Sequence, residues 1–383
     1  MKSFVKDPLN ILILAIPLAF LASLLDWPPL AVFSLSAIGL IPMARYIGTS
    51  TEVLASHTGP TIGGLLNATL GNAAELIITI VAIREGLLEL VIASITGSIL
   101  GNLLLVLGMS MLLGGLRHGT QVFNQKRASN NAILLVLAVL ALLIPSMFSS
   151  TIGPTDSMEV EALSLGVALV MIILYALGLI YTLKTQSGPL AAVTTHPGGQ
   201  PAAGGVIPSA AGAPSETQPV QAAHKPEGNH AHWSVRTAII VLLVSTAFVA
   251  YLSELLVGAV EPVMVSLGIS EFFVGIILIP LIGNVAEHLV AVKVALQNHM
   301  DLSVEIAVSS SLQIALFVAP ALVFISLIIG NPLQLIFNNF ELLALIAAVL
   351  ITALVSEDGE SNWLEGAELL AIYLIIALAS FLI

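Results

Sequence analysis

The chain has no cysteine, which excludes both a disulfide framework and a thiolate metal site. Charge is scarce as well: only 9% of the 383 residues are Asp, Glu, Lys or Arg, and 5% are aromatic. Soluble domains carry about 25% charged residues, so an ordinary soluble globule is excluded. Basic residues are the rarer sign, 11 against 23 acids, and the formal charge of -12 argues against nucleic acid as a partner. What fills the chain is apolar, 57% of it, with a mean hydropathy of +1.04. Its solvent is therefore a lipid bilayer.

Eleven apolar spans follow one another, each about the 17 to 25 residues or slightly more that a tilted membrane helix needs. They lie at approximately 9–25, 29–47, 59–84, 88–114, 130–148, 159–183, 235–257, 269–296, 303–328, 336–355 and 363–383. They are continuously apolar and do not alternate, which disfavours a membrane barrel. The N-terminal run could imitate a signal peptide, yet no small-x-small cleavage pattern precedes Asp26-Trp27-Pro28-Pro29, and a retained helix is expected. Residues 185–234 form a linker crowded with Pro, Gly, Ala, Ser and Thr, expected to be disordered. Its His196, His224, His230 and His232 are irregularly spaced and lack a carboxylate cluster. That favours a solvated linker over a metal or pH sensor.

The basic residues set the orientation. Starting from the N-terminal side, one face collects Lys2, Lys6, Arg45, Arg117, Lys126, Arg127, Lys184, Lys225, Arg236 and Lys293, and the other keeps Arg84. By the positive-inside rule the N-terminus and the linker are cytoplasmic. The expected localisation is an integral, multi-pass membrane protein, in the plasma or inner membrane if the source is prokaryotic.

A signature is repeated across the linker. Gly71-Asn72-Ala73-Ala74-Glu75 returns 212 positions later as Gly283-Asn284-Val285-Ala286-Glu287, each copy inside a long apolar run. A carboxylate at that depth is costly and usually functional. Asn72 and Glu75, three apart, share one helix face and offer two hard oxygen donors. Gly63-Gly64 and Gly71 allow the first helix to bend or unwind, and Pro280 must remove a helical hydrogen bond near the second signature. The spans after the first divide into two sets of five, 29–184 and 235–383, with the signature on the second span of each. Five is odd, so the sets enter the membrane from opposite sides. The expected fold is thus an all-α polytopic membrane protein of about eleven transmembrane helices: one additional N-terminal helix (1–28) and two inverted five-helix repeats, a plan shared by many alternating-access carriers. Weaker matches pair Gly63 with Gly275, Thr51-Glu52-Val53-Leu54 with Ser253-Glu254-Leu255-Leu256, and, after a one-residue shift, Gly97-Ser98-Ile99-Leu100 with Ser310-Ser311-Leu312-Gln313.

Two carboxylates and two amide oxygens, completed by carbonyls, hydroxyls and water, suit a hard cation such as calcium better than zinc or copper. Two carboxylates also neutralise one divalent ion in a low-dielectric interior. Once the ion leaves, burial and mutual repulsion favour the neutral acids, so protons occupy the same oxygens. One site then exchanges a divalent ion for protons, with no resident cofactor.

At these residues the chain resembles the calcium/proton exchangers, the CAX branch of the calcium:cation antiporter superfamily. The resemblance is carried by Asn67 to Glu75, Gly283 to His288, Ser311-Leu312-Gln313-Ile314-Ala315 and Asp358 to Gly366, and it covers nearly everything outside the linker. It implies Glu75 and Glu287 as shared calcium and proton carriers, with Asn72 and Asn284 beside them, and strengthens Ser98 and Gln313 as site-lining groups. Some relatives carry an acidic segment between the halves; this linker does not. Val285 stands where the first copy has Ala73.

Other readings compete. Asn72 and Asn284 also fit as polar glue between helices, and Asn102, Ser309, Ser310 and Ser311 divide evenly between site and packing. His288 points about 100° away from Glu287, which suits packing at least as well as a proton-linked or gating role. Glu52 and Glu254 guide cations at the two mouths or are simply solvated at the interface, and the acids of 357–360 read as a solvated loop. The function expected is export of cytoplasmic calcium against protons. The rivals are sodium-driven calcium exchange, an intramembrane enzyme with two acids and a non-transporting structural bundle. Sodium-coupled relatives typically carry Pro before the signature acid, where this chain has Ala74 and Ala286. An enzyme needs two different acid roles, and the copies are near-equivalent. A homo-oligomer is compatible with the sequence.

Overall fold

The computed structural model describes residues 8–153, 157–185 and 233–382. The linker at 186–232, with its four histidines, lies outside the described residues. The described chain is helical apart from loops and a two-stranded ribbon that pairs Gln121 with Ser361 and Val122 with Glu360. In chain order the helices are α1 (Asn10–Leu24), α2 (Pro29–Leu70), α3 (Ala73–Arg84), α4 (Leu88–His118), α5 (Gln125–Ile152) and α6 (Met158–Thr185). After the linker come α7 (Val235–Leu267), α8 (Glu271–Ala295), α9 (Met300–Ile329), α10 (Asn339–Val355) and α11 (Trp363–Leu382). Eight segments among the described residues are long and apolar enough to cross a membrane, and α1 and α10 are shorter apolar helices. Large apolar side chains such as Leu140, Val170, Leu243, Leu350 and Leu374 are exposed on the outside of the bundle, the reverse of a water-soluble protein.

Two spans exceed their expected ends. The first does not stop at 47: helix continues through the polar string Gly48 to Glu52, because Ser50 and Thr51 are fully buried and Thr51 returns its hydroxyl to the Ile47 carbonyl. A straight helix of 42 residues is about 63 Å long, twice the hydrocarbon thickness. The helix is not straight, however. A Cβ on Gly63 would lie 2.7 Å from the Ala55 carbonyl oxygen, eight residues back, whereas eight residues of straight helix span about 12 Å. The axis folds sharply between Ala55 and Gly63, so α2 contains two segments, as the sequence expects. Likewise α7 runs past 257, through a break at Ala259, to Leu267.

Loop contacts fix which ends share a face. At one face the ribbon joins the α4–α5 and α10–α11 loops, and Gln121 Nε2 donates to the Ala295 carbonyl at the end of α8. At the other, Arg84 pairs with Glu254 at 3.3 Å, and Asn331 Nδ2 donates to the Ile83 carbonyl. The ends of α4, α8 and α10 therefore lie together, opposite the ends of α3 and α9 and the part of α7 just before its break at Ala259. That is the arrangement of two five-span sets entering from opposite sides.

Helix α4 is the buried axis of the bundle, fully covered from Leu90 to Leu104. Its glycines allow this. A Cβ on Gly97 would stand 2.1 Å from the Ile276 carbonyl oxygen and 2.7 Å from Pro280 Cγ, and one on Gly275 would stand 2.5 Å from Ala93 Cβ. Backbones of α4 and α8 thus meet directly. Gly108 and Gly366 do the same for α4 and α11, where a Cβ on Gly366 would lie 2.6 Å from the Gly108 carbonyl oxygen. Small residues at such crossings are the usual means of close helix approach in membranes. Gly97→Ala is accordingly expected to lower stability by about 1–3 kcal/mol or prevent folding, whereas Gly166→Ala, with nothing within 4 Å, is expected to be neutral or slightly stabilising. Thermal unfolding of the detergent-solubilised protein checks the pair.

Candidate functional site

The first signature lies on a broken helix. Helix α2 ends at Leu70, Gly71 and Asn72 form a turn, and α3 starts at Ala73 with Asn72 at its N-cap (φ -96, ψ 20). Asn72 is therefore at the helix end and not within one continuous helix face, yet it and Glu75 are both buried, 3% and 2% exposed. The second signature differs: Gly283 to Glu287 stay in regular helix. The irregularity falls earlier, in a π-helical turn at Val274–Leu278 just ahead of Pro280. Matching π turns occur in α4 at Gly101–Val106 and in α9 at Ile314–Val318. Such turns widen a helix by one residue and redirect the side chains beside them.

The two signatures meet. A Cβ on Gly71 would lie 3.8 Å from Glu287 Oε1, and one on Gly283 would lie 3.7 Å from Glu75 Cβ. Each acid thus packs over the glycine that opens the other copy. Around them runs a hydrogen-bonded network. Ser98 donates to Glu75 Oε1 and accepts from Asn284 Nδ2 at 3.2 Å. Ser310 donates to Glu287 Oε2 at 2.8 Å and accepts from Asn102 Nδ2 at 3.0 Å. Asn72 Nδ2 donates to Gln313 Oε1 at 2.7 Å. Eight of the expected residues are therefore in one place: Asn72, Glu75, Ser98, Asn102, Asn284, Glu287, Ser310 and Gln313.

The pattern has a rule. Each half supplies its own acid and the hydroxyl that donates to it, and every amide contact crosses from one half to the other. Ser98 and Ser310 each come 23 residues after their acid. That equality corrects the shifted register, which paired Ser98 with Ser311. Ser311 instead turns its hydroxyl back to the Ala307 carbonyl on its own helix. The unshifted spacing was readable in the sequence, although a serine run at 309–311 obscures which hydroxyl matters.

Two buried oxygens in the network are left without a partner: Glu75 Oε2 and Asn72 Oδ1. Both are acceptors, and burying an acceptor unsatisfied costs about 1–3 kcal/mol, more when it is charged. A bound cation would supply acceptors such as these with a partner, and a proton would neutralise the carboxylate. Ser309 Oγ is also buried and unpartnered, one residue from the network. Among the described residues no three acids or histidines converge, so a cation here takes its remaining ligands from amides, hydroxyls, backbone carbonyls and water. That donor set is all oxygen, suited to a hard ion. The ion pairs Arg84–Glu254 and Arg127–Glu305 lie toward the two faces and do not involve the signature acids. Among the described residues, then, no Lys or Arg is paired with either acid.

The remaining expected residues are not drawn in. His288 is buried at 9% exposure, and neither ring nitrogen has a hydrogen-bond partner among the described residues. Glu254 is exposed and pairs with Arg84, and Glu52 is exposed on α2. The two sides of the site are unequal: Glu75 is sealed, while Glu287 retains partial exposure.

Known proteins resemble the chain over both of its halves. The sodium/calcium exchanger protein family matches residues 28–184 and 237–382, both halves of the chain. The Ca2+/H+ antiporter of Aphanothece halophytica is 46% identical over 371 residues, covering 97% of this chain and 95% of that one. The Ca2+/H+ antiporter ChaA of Bacillus subtilis is 42% identical over 369 residues, covering 96% and 97%. The solved structure of native YfkE superposes with a TM-score of 0.79 at 39% identity, covering 98% of this chain and all of that one. The chain is a member of the sodium/calcium exchanger protein family, in the branch whose relatives are named Ca2+/H+ antiporters.

Proposed function

We propose that the chain is a calcium/proton antiporter that carries calcium out of the cytoplasm against protons, with Glu75 and Glu287 as the groups that bind each in turn. One observation carries this reading. Two acids from inverted halves share a buried, hydrogen-bonded network that leaves acceptors unsatisfied and, among the described residues, pairs neither acid with a Lys or Arg. The relatives' names supply the ions.

The chemistry follows from charge balance. With both carboxylates ionised, one divalent ion neutralises the pair, and Asn72 Oδ1 and Glu75 Oε2 gain the partner they lack. The Ser98 and Ser310 hydroxyls hold the other carboxylate oxygens in place. When the ion leaves, two close anions in a low-dielectric interior are unstable, and protons replace it. Return of the unloaded carrier is thereby a return of the protonated carrier, which couples the two flows. Broken and π-turned segments beside the site give the halves places to rearrange, so that it faces each side in turn. The basic face, with the α4–α5 loop, is assigned to the cytoplasm by its Lys and Arg content.

Sodium-driven exchange remains the second reading because the family also bears that name. Purified protein in vesicles is expected to take up calcium when a pH gradient is imposed, and Glu75→Gln or Glu287→Gln is expected to stop it. Retained uptake in either variant, or full replacement of the pH gradient by a sodium gradient, refutes the assignment. The corrected register makes a further prediction. Ser98→Ala and Ser310→Ala each remove a hydrogen bond to a charged acceptor, an effect of about 1.5–3 kcal/mol. Calcium affinity is expected to fall about tenfold or more, while Ser311→Ala leaves it unchanged; calorimetric titration with calcium distinguishes the three.

A further inference from the structure

Apart from the central site, a cavity with charged residues in its lining lies near the basic face, between the first turns of α5 and α9. It is a cleft of about 280 Å3 lined by Phe123, Asn124, Arg127, Asn131, Asp301 and Glu305, among others. Three features set it apart from an ordinary surface ion pair. Arg127 meets Glu305 at 3.5 Å, a loose contact, and the arginine side chain is 47% exposed while that of the glutamate is only 14% exposed. Asp301 accepts from the Asn124 backbone N–H through one oxygen. Asn131 is 4% exposed, lines the cleft, and its Oδ1 has no hydrogen-bond partner among the described residues. A buried amide oxygen left without a donor beside two carboxylates is a ligand set waiting for a cation. Two acids against one arginine leave the cleft with a net negative charge.

Its position along α9 gives the cleft a direction. Asp301, Glu305, Ser309 and Gln313 recur every four residues, which stacks them turn upon turn along one side of the helix. The row begins at the cleft, passes the unpartnered Ser309 hydroxyl, and ends at Gln313, which holds Asn72 of the central site. Asn131 reaches the cleft from the first half of the chain, and Asp301 and Glu305 reach it from the second.

We propose that Asp301, Glu305 and Asn131 form an outer site for a hydrated divalent cation, calcium in transport, which loads there before passing along α9 to the central acids. This deepens the antiporter reading and rests on it. In the outer site Arg127 is the resident counter-charge: an arriving divalent ion takes its place on Glu305, and the guanidinium, already half exposed, moves into water. The volume accommodates an ion that keeps part of its water shell, each water needing about 30 Å3. With two carboxylates and one amide, binding is weaker than at the central site, as an entry step requires.

Calorimetric titration of the full-length protein with calcium tests this. Glu75→Gln/Glu287→Gln protein, checked for unchanged helicity and a monodisperse elution profile, is expected to retain one calcium per chain. Adding Asp301→Asn and Glu305→Gln is expected to abolish it. Asn131→Leu removes an amide oxygen that has no hydrogen-bond partner, and in an otherwise native chain it is expected to raise the half-saturating calcium concentration at the basic face about tenfold, equivalent to about 1.4 kcal/mol. The maximal rate stays unchanged. Absence of calcium binding to the folded Glu75→Gln/Glu287→Gln protein overturns the proposal and reduces the Arg127–Glu305 contact to a latch between α5 and α9. So does an Asn131→Leu chain with native half-saturation. Failure of the antiporter reading looks different: transport survives loss of Glu75 or Glu287, whatever the outer site binds.

Discussion

A carboxylate buried at the depth of the hydrocarbon has to be stabilised by groups that are buried with it. Glu75, 2% exposed, receives a hydroxyl donor from Ser98, and Ser98 can hold that orientation because Asn284 donates to it. Glu287, Ser310 and Asn102 repeat the arrangement. Each chain of contacts passes from acid to hydroxyl to amide, so a change in the charge of the acid is felt at the amide two hydrogen bonds away. Since Asn284 belongs to the second half and Ser98 to the first, neither half completes its own acid's surroundings. That is a physical reason for the halves to be tied together and for a site to exist only where they meet.

Close approach of the helices that carry these groups depends on glycine. Ser98 follows Gly97, whose missing side chain lets α4 lie against the backbone of α8 at Ile276, and Asn284 is two turns further along that same helix. An extra methyl at the crossing would separate the hydroxyl from the amide that steadies it. The π turns act in the opposite sense. They fall in α4, α8 and α9, three of the four helices that carry the network, and the fourth, α3, is broken from α2 at Gly71. Rigid contact and weakened backbone thus alternate along the same elements. This is what a site needs if it is to keep its ligand geometry while the segments around it move.

Much of this was legible in the sequence because membranes make sequence unusually explicit. Long apolar runs mark spans, and the duplicated Gly-Asn-x-Ala-Glu marks the acids placed within comparable runs of both halves. The sparse basic residues are expected on one face, and a contact joins two of the segments that carry them, the α4–α5 loop and the end of α8. Less legible were features with no distinct residue signal. The polar string Gly48 to Glu52 reads as a loop but remains helix, with the Thr51 hydroxyl turned back to the Ile47 carbonyl of the same helix. The π turns lie in ordinary apolar residues such as Leu103-Leu104-Leu105. Register within Ser309-Ser310-Ser311 was lost for a related reason: three identical neighbours differ only in direction, and direction depends on packing.

The halves are not perfect copies, and some of the departures fall at the site. A shift of 212 takes Ser98 to Ser310 and Asn72 to Asn284, yet it takes Gln313 back to Gly101 and Asn102 on to Ile314. Asn72 therefore finds a glutamine across the interface, while Asn284 faces the place of a glycine and turns to Ser98 instead. Glu75 is sealed and Glu287 partly open. In a carrier made of two identical inverted halves, the state open to one side and the state open to the other would be equivalent and equal in energy. Unequal amides remove that degeneracy, since the hydrogen bonds that break on passing from one state to the other are no longer matched by those that form. A difference of about 1.4 kcal/mol already shifts the ratio of two states tenfold, which is within the range of a single buried amide hydrogen bond. The departure from symmetry at Gln313 and Asn102 is thus sufficient by itself to give the empty carrier a preferred side.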